Sequence, residues 1–127
     1  MHIKAIHHIA IICSNYERSK HFYVNLLGAQ IIRETWREQR CSHKLDLHLG
    51  NAQLELFSFP APPPRPTRPE ACGLRHLALA VEDLDACVAY LQTEGIVVEA
   101  IRLDQLTGKR FTFFQDPDGL PLELYEI

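Results

Sequence analysis

The chain of 127 residues fits one domain that can bury roughly two-thirds of the surface exposed on unfolding, so it needs no disulfide to fold. Its composition, 46% hydrophobic and 23% charged, is that of an ordinary globular protein, and a net charge of -3 argues against nucleic acid as a partner. No segment approaches the length of a membrane span and no signal-peptide pattern is present, so a cytoplasmic protein without a membrane partner is expected.

The first half of the chain reads as a strand, a helix and three further strands. Residues 6–11, IHHIAI, have the apolar content of a buried strand. Neighbouring side chains on a strand point to opposite faces, which predicts that His7 and His8 do not serve the same site. Residues 15–28 carry apolar side chains at helical spacing and stop at Gly28. Period-two alternation then predicts strands over residues 29–38, 43–50 and 52–59.

The second half repeats this order after a proline-rich segment. Six prolines between residues 60 and 72 exclude a helix or a central strand there, so this segment is predicted to be a linker. A helix over residues 83–95 is predicted to begin at the capping residue Asp83. The strands predicted in this half cover residues 74–79, 96–103, 109–115 and 120–127.

The two halves carry matching motifs at one common offset. IHHIAI aligns with LRHLAL, which places His8 on His76, and LELF aligns with LELY, which places Glu55 on Glu123. Both pairs are separated by 68 residues. This indicates an internal duplication within a single domain of residues 1–127, with repeat one at 1–59, the linker at 60–72 and repeat two at 73–127.

Alternation along the last strand of each half separates its glutamate from the leucines. Glu55 points away from Leu54 and Leu56, and Glu123 is flanked by leucines in the same way. The predicted fold class is therefore α+β, with two βαβββ repeats forming a curved, barrel-like mixed sheet around a metal site and the helices outside. The concave faces would carry His8 with Glu55 and His76 with Glu123.

These four side chains are candidate metal ligands. Two carboxylates gathered in a cavity raise each other's pKa and are costly to bury, whereas a divalent cation removes that cost. The nitrogen and oxygen ligand set suits Zn, Ni, Co, Mn or Fe. The alternative is that both histidines belong to the core and both glutamates are exposed strand residues.

The same motifs give the chain a family resemblance. With HHIAI, ERSKHFYVNLLG, RHLAL and DPDGLPLEL, it resembles the vicinal oxygen chelate superfamily, and most closely the glyoxalase I-type members. The resemblance implies metal ligands at His8, Glu55, His76 and Glu123, with Glu123 as the catalytic group that takes and returns a proton through an enediolate. It implies a glyoxalase I-like lyase or isomerase acting on a small molecule with vicinal oxygens, expected as a homodimer.

Two departures argue against glutathione as the cosubstrate. Ile12 and Phe59 stand where glyoxalase I has the Arg and Asn that contact glutathione. Two alternatives within the superfamily remain: an iron(II) dioxygenase, against which the extra ligand Glu55 argues, and a non-catalytic protein that binds a small ligand. Whether the four ligands meet within one chain or across a dimer interface stays open.

Four further residues are weaker candidates. Asp46 and His48 alternate with leucines, so they either support the metal ligands from the same face or lie on an exposed strand face. Lys109 and Arg110 follow Gly108 and either receive an anionic group of the substrate or belong to a solvated loop.

Overall fold

The computed structural model describes all residues from 1 to 127 and divides the chain into two compact units. The first unit is Met1–Pro64 and the second is Arg65–Ile127. The boundary between the units falls inside the segment 60–72 that was predicted to be a linker. Each unit contains one four-stranded mixed sheet and one principal helix.

The first unit follows the order β-α-β-β-β. Strand β1 pairs in parallel with β4, and β4, β3 and β2 follow one another in antiparallel pairs. The sheet order is β1-β4-β3-β2, so the first and last strands of the half are neighbours. The elements of this unit are β1 (Ile9–Cys13), α1 (Tyr16–Lys20), β2 (Gln30–Arg37), β3 (Ser42–Leu49) and β4 (Ala52–Ser58).

The second unit has the same order and topology. Its sheet runs β5-β8-β7-β6, again with the first strand parallel to the last. The predicted α+β fold class and the duplication of a βαβββ unit are therefore confirmed. Both sheets are open, because each has two outer strands with a single neighbour. The elements of this unit are β5 (Leu77–Val81), α2 (Leu84–Thr93), β6 (Arg102–Leu103), β7 (Arg110–Gln115) and β8 (Pro121–Glu126).

Four elements differ from the predicted boundaries. Strands β1 and β5 begin at the residue after His8 and His76, so both histidines precede their strands. Strand β6 covers only two residues of the predicted 96–103. After α1 the chain continues as wider helical turns over His21–Leu26, in which the Leu27 amide donates to the Phe22 carbonyl five residues back. Hydrophobic spacing identifies a helix but does not distinguish these wider turns from α-helical ones.

Both helices begin at side-chain caps. The Asn15 carboxamide accepts from the Arg18 amide at 3.0 Å, and the Asp83 carboxylate accepts from the Ala86 amide at 2.9 Å. Each cap satisfies a backbone donor that has no partner within the helix, and the predicted cap at Asp83 is thereby confirmed. No helix in the structure combines the length and apolar character that crossing a membrane requires.

The core of each unit lies between its helix and the last strand. Helix α1 packs against β4, and α2 packs against β8. Leu54 and Leu56 are buried on β4, and Leu122 and Leu124 are buried on β8. Because side chains alternate along a strand, Glu55 and Glu123 point to the opposite sheet face. The alternation predicted from the sequence therefore sets which face of each sheet carries the candidate ligands.

Candidate metal centre

The first candidate pair joins the residue before β1 to the middle of β4. The parallel pairing of these strands places Ala10 opposite Glu55, and His8 precedes Ala10 by two residues. His8 Nε2 lies 3.6 Å from Glu55 Oε2. Glu55 is 7% exposed, whereas the His8 side chain is 39% exposed. The imidazole therefore stands at the solvent side of a buried carboxylate.

The second unit repeats this arrangement. Ala78 lies opposite Glu123, and His76, just before β5, places its Nε2 3.1 Å from Glu123 Oε2. The edge of the His76 ring contacts the Phe113 ring, with 5.2 Å between the ring centroids. His76 Nδ1 is buried and has no hydrogen-bond partner, which leaves Nε2 as the nitrogen that faces the carboxylate.

The geometry within each pair suits two ligands of one metal ion. Ligand atoms held about 2.1 Å from an ion at tetrahedral or octahedral angles lie about 3.0–3.4 Å from each other. The two imidazole–carboxylate distances, 3.6 and 3.1 Å, are close to this range. The structure thus brings the four candidate ligands together as two pairs. It contains no group of three or more His, Cys, Asp and Glu residues arranged to hold a metal ion.

His7 lies beside the first pair, contrary to the sequence interpretation. His7 Nδ1 is 2.8 Å from His8 Nδ1. The rule that neighbouring side chains diverge does not apply here, because β1 begins only at Ile9 and both histidines precede it. The contact occupies Nδ1 of His8 and leaves its Nε2 to face Glu55, as expected for a metal-binding imidazole whose second nitrogen is oriented by a neighbour.

A lysine that the sequence interpretation missed contacts Glu55. Lys44 Nζ forms an ion pair with Asp46 Oδ1 at 2.8 Å and donates to Glu55 Oε1 at 3.0 Å, because Asp46 on β3 lies opposite Glu55 on β4. The carboxylates of Asp46 and Glu55 raise the pKa of Lys44 above its ordinary value. The alternation in HKLDLHL was the available signal, since it places Lys44 on the same face as Asp46.

Asp46 is the buried member of this cluster. It is 2% exposed and also accepts from Arg33 Nε at 3.4 Å. Burial alone would raise the pKa of Asp46, but the hydrogen bonds and charges of Lys44 and Arg33 outweigh it and hold the pKa below its ordinary value. Asp46 thus supports the Glu55 side of the site through Lys44, whereas His48, opposite Gln53, is exposed.

The Lys44→Met variant is expected to lower the free energy of unfolding of the metal-free protein by about 1–3 kcal/mol at pH 7, because Asp46 loses a charged donor. The depressed pKa of Asp46 contributes stability that is present above the unfolded aspartate value, about 3.9, and is lost as the pH falls through the folded value. Urea unfolding at pH 7 and pH 3 measures both effects, with the exposed Lys4→Met as the control. A difference from wild type that stays constant between these pH values would contradict the assignment.

The sheet face around Glu123 is aromatic instead of charged. Phe113 on β7 lies opposite Glu123, at the position that Asp46 occupies in the first unit. The Glu123 carboxylate contacts the His76 imidazole and no lysine or arginine. The two duplicated pairs therefore differ in how firmly each carboxylate is held.

Arg110 is not available for a substrate anion. Its guanidinium binds Glu126 through Nε at 2.9 Å and Nη2 at 2.6 Å, and Nη2 also lies 3.0 Å from Asp85 Oδ2. These carboxylates raise the pKa of Arg110, with the Glu126 hydrogen bonds as the largest cause. Lys109 is exposed. Neither predicted alternative fits Arg110, because it lies on β7 and not in a solvated loop, and its guanidinium is paired with two carboxylates.

Comparisons with known proteins confirm the family resemblance of the chain. The Glyoxalase/Bleomycin resistance protein/Dioxygenase superfamily matches residues 5–124. YwkD of Bacillus subtilis (strain 168) is 66% identical over 127 residues, which cover 99% of each chain. The crystal structure of the glyoxalase family protein from Enterococcus faecalis has a TM-score of 0.92 and 52% identity, covering 99% of this chain and 100% of that one. The 2-epi-5-epi-valiolone epimerase of Actinomyces sp is 30% identical over 145 residues, covering 97% of this chain and 79% of the epimerase.

Proposed function

The chain belongs to the Glyoxalase/Bleomycin resistance protein/Dioxygenase superfamily, and from that membership we propose a divalent-metal-dependent enzyme that moves a proton at a carbon beside a carbonyl group. The proposed activity is a glyoxalase I-like lyase or isomerase reaction on a small substrate with vicinal oxygens. One observation carries the proposal: the imidazole–carboxylate pair occurs twice, at 3.6 and 3.1 Å, in duplicated positions. A single structural histidine would not require a matched carboxylate in both halves.

The residues that would hold the metal are His8, Glu55, His76 and Glu123. Two imidazoles and two carboxylates around a divalent ion form a neutral set, which suits Zn, Ni, Co, Mn or Fe. The two pairs would serve one ion, either within a chain or between two copies in a homodimer. When bound, such an ion supplies Lewis-acid polarisation of a carbonyl oxygen.

Glu123 is the proposed general base. Glu55 Oε1 accepts from Lys44 at 3.0 Å and faces Gln53 Nε2 at 3.5 Å, so this carboxylate is held by donors besides His8. Glu123 has only His76 as a polar partner, at Oε2, and lies opposite Phe113, so its carboxylate is the one with fewer donors and the better proton acceptor. Glu123 would take the proton from the substrate carbon while the electron pair moves onto the carbonyl oxygen. Returning that proton to the neighbouring carbon, while the hydroxyl proton passes to the former carbonyl oxygen, completes an isomerisation that moves the carbonyl group.

The departures at Ile12 and Phe59 support a substrate other than a glutathione adduct. Ile12 is 57% exposed and offers no charged donor. Phe59 packs its ring against Phe57, with 6.3 Å between the centroids, so neither residue can bind a peptide carboxylate or amide. A site that lacks donors for a carboxylate loses several kcal/mol of binding relative to one that has them, on the order of 1.5–3 kcal/mol per charged hydrogen bond.

Epimerisation is the second candidate function. The 30% identity to 2-epi-5-epi-valiolone epimerase extends over 97% of the chain. The first step would be the same removal of a proton beside a carbonyl, followed by its return to the opposite face of the same carbon. The two candidates therefore differ in the product: isomerisation moves the carbonyl group, whereas epimerisation inverts one centre.

Metal removal and reconstitution test the proposal. Protein stripped with a chelator is expected to lose deuterium exchange at the C–H groups of dihydroxyacetone in D₂O, and protein reloaded with Mn²⁺, Ni²⁺ or Zn²⁺ is expected to regain it. Proton NMR measures the exchange, and the metal content is determined on the same samples. Exchange that is equal with and without metal would contradict the proposal. Oxygen consumption with Fe²⁺ would favour a dioxygenase, and tight binding without exchange would favour a binding protein.

A further inference from the structure

We propose that Arg37 forms a subsite for the terminal oxyanion of the substrate, which would be a carboxylate, phosphate or phosphonate. This inference rests on the proposed function for the other end of the substrate, where the vicinal oxygens would meet the metal ligands. It adds the substrate class: a short compound with vicinal oxygens and a negatively charged end. The subsite lies entirely within the first unit.

Arg37 reaches the same sheet face as Glu55. It is the last residue of β2 and lies opposite Ser42 on β3, and alternation from this position places it on the face of Lys44. Its guanidinium carbon is 4.6 Å from the centre of the Phe57 ring and 5.5 Å from that of Phe59. A guanidinium stacked on two rings is fixed in orientation and keeps its edge donors available.

The guanidinium of Arg37 lacks a carboxylate partner. Its Nη2 donates to Ser42 Oγ at 2.7 Å, and its Nε is buried with no hydrogen-bond acceptor. A buried donor without an acceptor is costly, and an oxyanion is the group that arginine binds best. The neighbouring Arg33 differs, since its Nε faces Asp46 at 3.4 Å. The unsatisfied donor of Arg37 therefore favours an anionic ligand at this position.

Lys44 connects this subsite to the metal ligands. Its Nζ lies 5.8 Å from the centre of the Phe57 ring and also donates to Glu55 at 3.0 Å. Phe57 follows Glu55 by two residues, a spacing of roughly 7 Å along a strand. That separation suits a substrate in which about three or four atoms lie between the chelating oxygens and the oxyanion.

The corresponding face of the second unit does not offer the same site. Arg102 stacks on Phe111 and Phe113, with distances of 5.0 and 5.3 Å from its guanidinium carbon to the ring centres. Its Nη2, however, is paired with Glu99 Oε2 at 3.0 Å. Its guanidinium is thus already neutralised. In the first unit, Phe59 stands where, by the family resemblance, glyoxalase I has an Asn that contacts glutathione. Here the Phe59 ring stacks under the Arg37 guanidinium instead.

Binding of a matched pair of ligands tests the subsite. Dihydroxyacetone phosphate and dihydroxyacetone share the hydroxy ketone and differ in the phosphate. Wild-type protein loaded with Mn²⁺ is expected to bind the phosphate ester roughly tenfold to hundredfold more tightly, as one or two charge-assisted hydrogen bonds would give. The Arg37→Gln variant is expected to lose this preference, and Arg37→Lys to retain part of it. Arg40→Gln, an exposed arginine three residues away, is the control and is expected to keep it.

The experiment separates failure of the subsite from failure of the proposed function. Calorimetry gives the ligand affinities, and the Mn²⁺ content of each variant shows whether the metal ligands are intact. Circular dichroism shows whether each variant folds. If Arg37→Gln does not fold, the preference of Arg37→Lys for the phosphate ester, compared with that of wild type, tests the subsite. Metal bound normally with no preference for the phosphate ester would overturn the subsite and leave the metal enzyme standing. A preference that depends on Arg37 in protein that binds no metal would support the subsite and contradict the proposed function.

Competing anions identify the oxyanion. If inorganic phosphate displaces dihydroxyacetone phosphate from wild type and succinate does not, the result would support a phosphate ester or phosphonate as the ligand of the subsite. Displacement by succinate alone would support a carboxylate. The assignment to Arg37 would be overturned if neither anion displaced dihydroxyacetone phosphate. It would also be overturned if both anions displaced it as well from Arg37→Gln as from wild type.

Discussion

Replacing Glu123 with Gln is expected to lower the rate of substrate deuterium exchange by roughly 10²–10⁴-fold while the protein still binds a divalent metal ion. The amide keeps the shape of the side chain and one oxygen that can serve as a ligand, but it cannot accept the proton. Exchange measured by NMR and metal content measured on the same sample separate the two roles. Metal affinity is expected to fall, because a neutral oxygen is a weaker ligand than a carboxylate.

Glu55→Gln is the matched control for this prediction. Both glutamates occupy duplicated positions, at the same register relative to their parallel partner strand. Glu55 is held by Lys44 at 3.0 Å, so its replacement is expected to weaken metal binding and to slow exchange much less than Glu123→Gln. If Glu55→Gln abolished exchange and Glu123→Gln left it intact, the general base would be Glu55.

Removing the ligand pair of one half is expected to abolish metal binding by both halves. The double variant His8→Ala, Glu55→Ala keeps His76 and Glu123, yet two ligands alone do not make a stable site for an ion that takes four. Loss of a group that merely supports a ligand already weakens metal affinity roughly 10–100-fold, so loss of two ligands is expected to exceed that. Metal content after dialysis measures the effect.

The stoichiometry decides whether the two pairs act on one ion. Wild type is expected to hold one metal ion per four ligands, and His21→Ala, which changes an exposed histidine next to α1, is expected to match it. Two ions per four ligands in wild type, with one surviving in the double variant, would show that each pair binds its own ion. That result would contradict the shared centre proposed above.

The duplicated topology and the partners of each histidine were predictable from the sequence. The common offset of 68 residues matched His8 with His76 and Glu55 with Glu123. Period-two alternation placed both glutamates opposite the buried leucines, and the structure confirms that placement. These features were accessible because alternation and repetition are local properties of the chain that need no knowledge of which strands become neighbours.

The polar and aromatic surroundings of Glu55 were not predictable in the same way. Alternation could place Lys44 and Arg37 on the right face, but the contacts of Lys44 with Glu55 and of Arg37 with Phe57 depend on the register between β2, β3 and β4. Register is set by turns and tertiary packing, and nothing in the separate segments fixes it. The start of β1 after His8 was missed for a related reason, because an apolar run does not reveal where pairing begins.

The parallel neighbours in each sheet have a consequence for how the protein folds. Strand β1 is hydrogen-bonded to β4, the last strand of its half, and β5 is bonded to β8 in the same way. The segments 8–55 and 76–123 must therefore close into loops before either imidazole meets its carboxylate, so these contacts have a high sequence separation and are expected to form late. A chain that stalls before β1 docks leaves β4 with an unpaired edge, which is a template for aggregation. A cation that binds only the completed halves would stabilise them against that outcome by mass action.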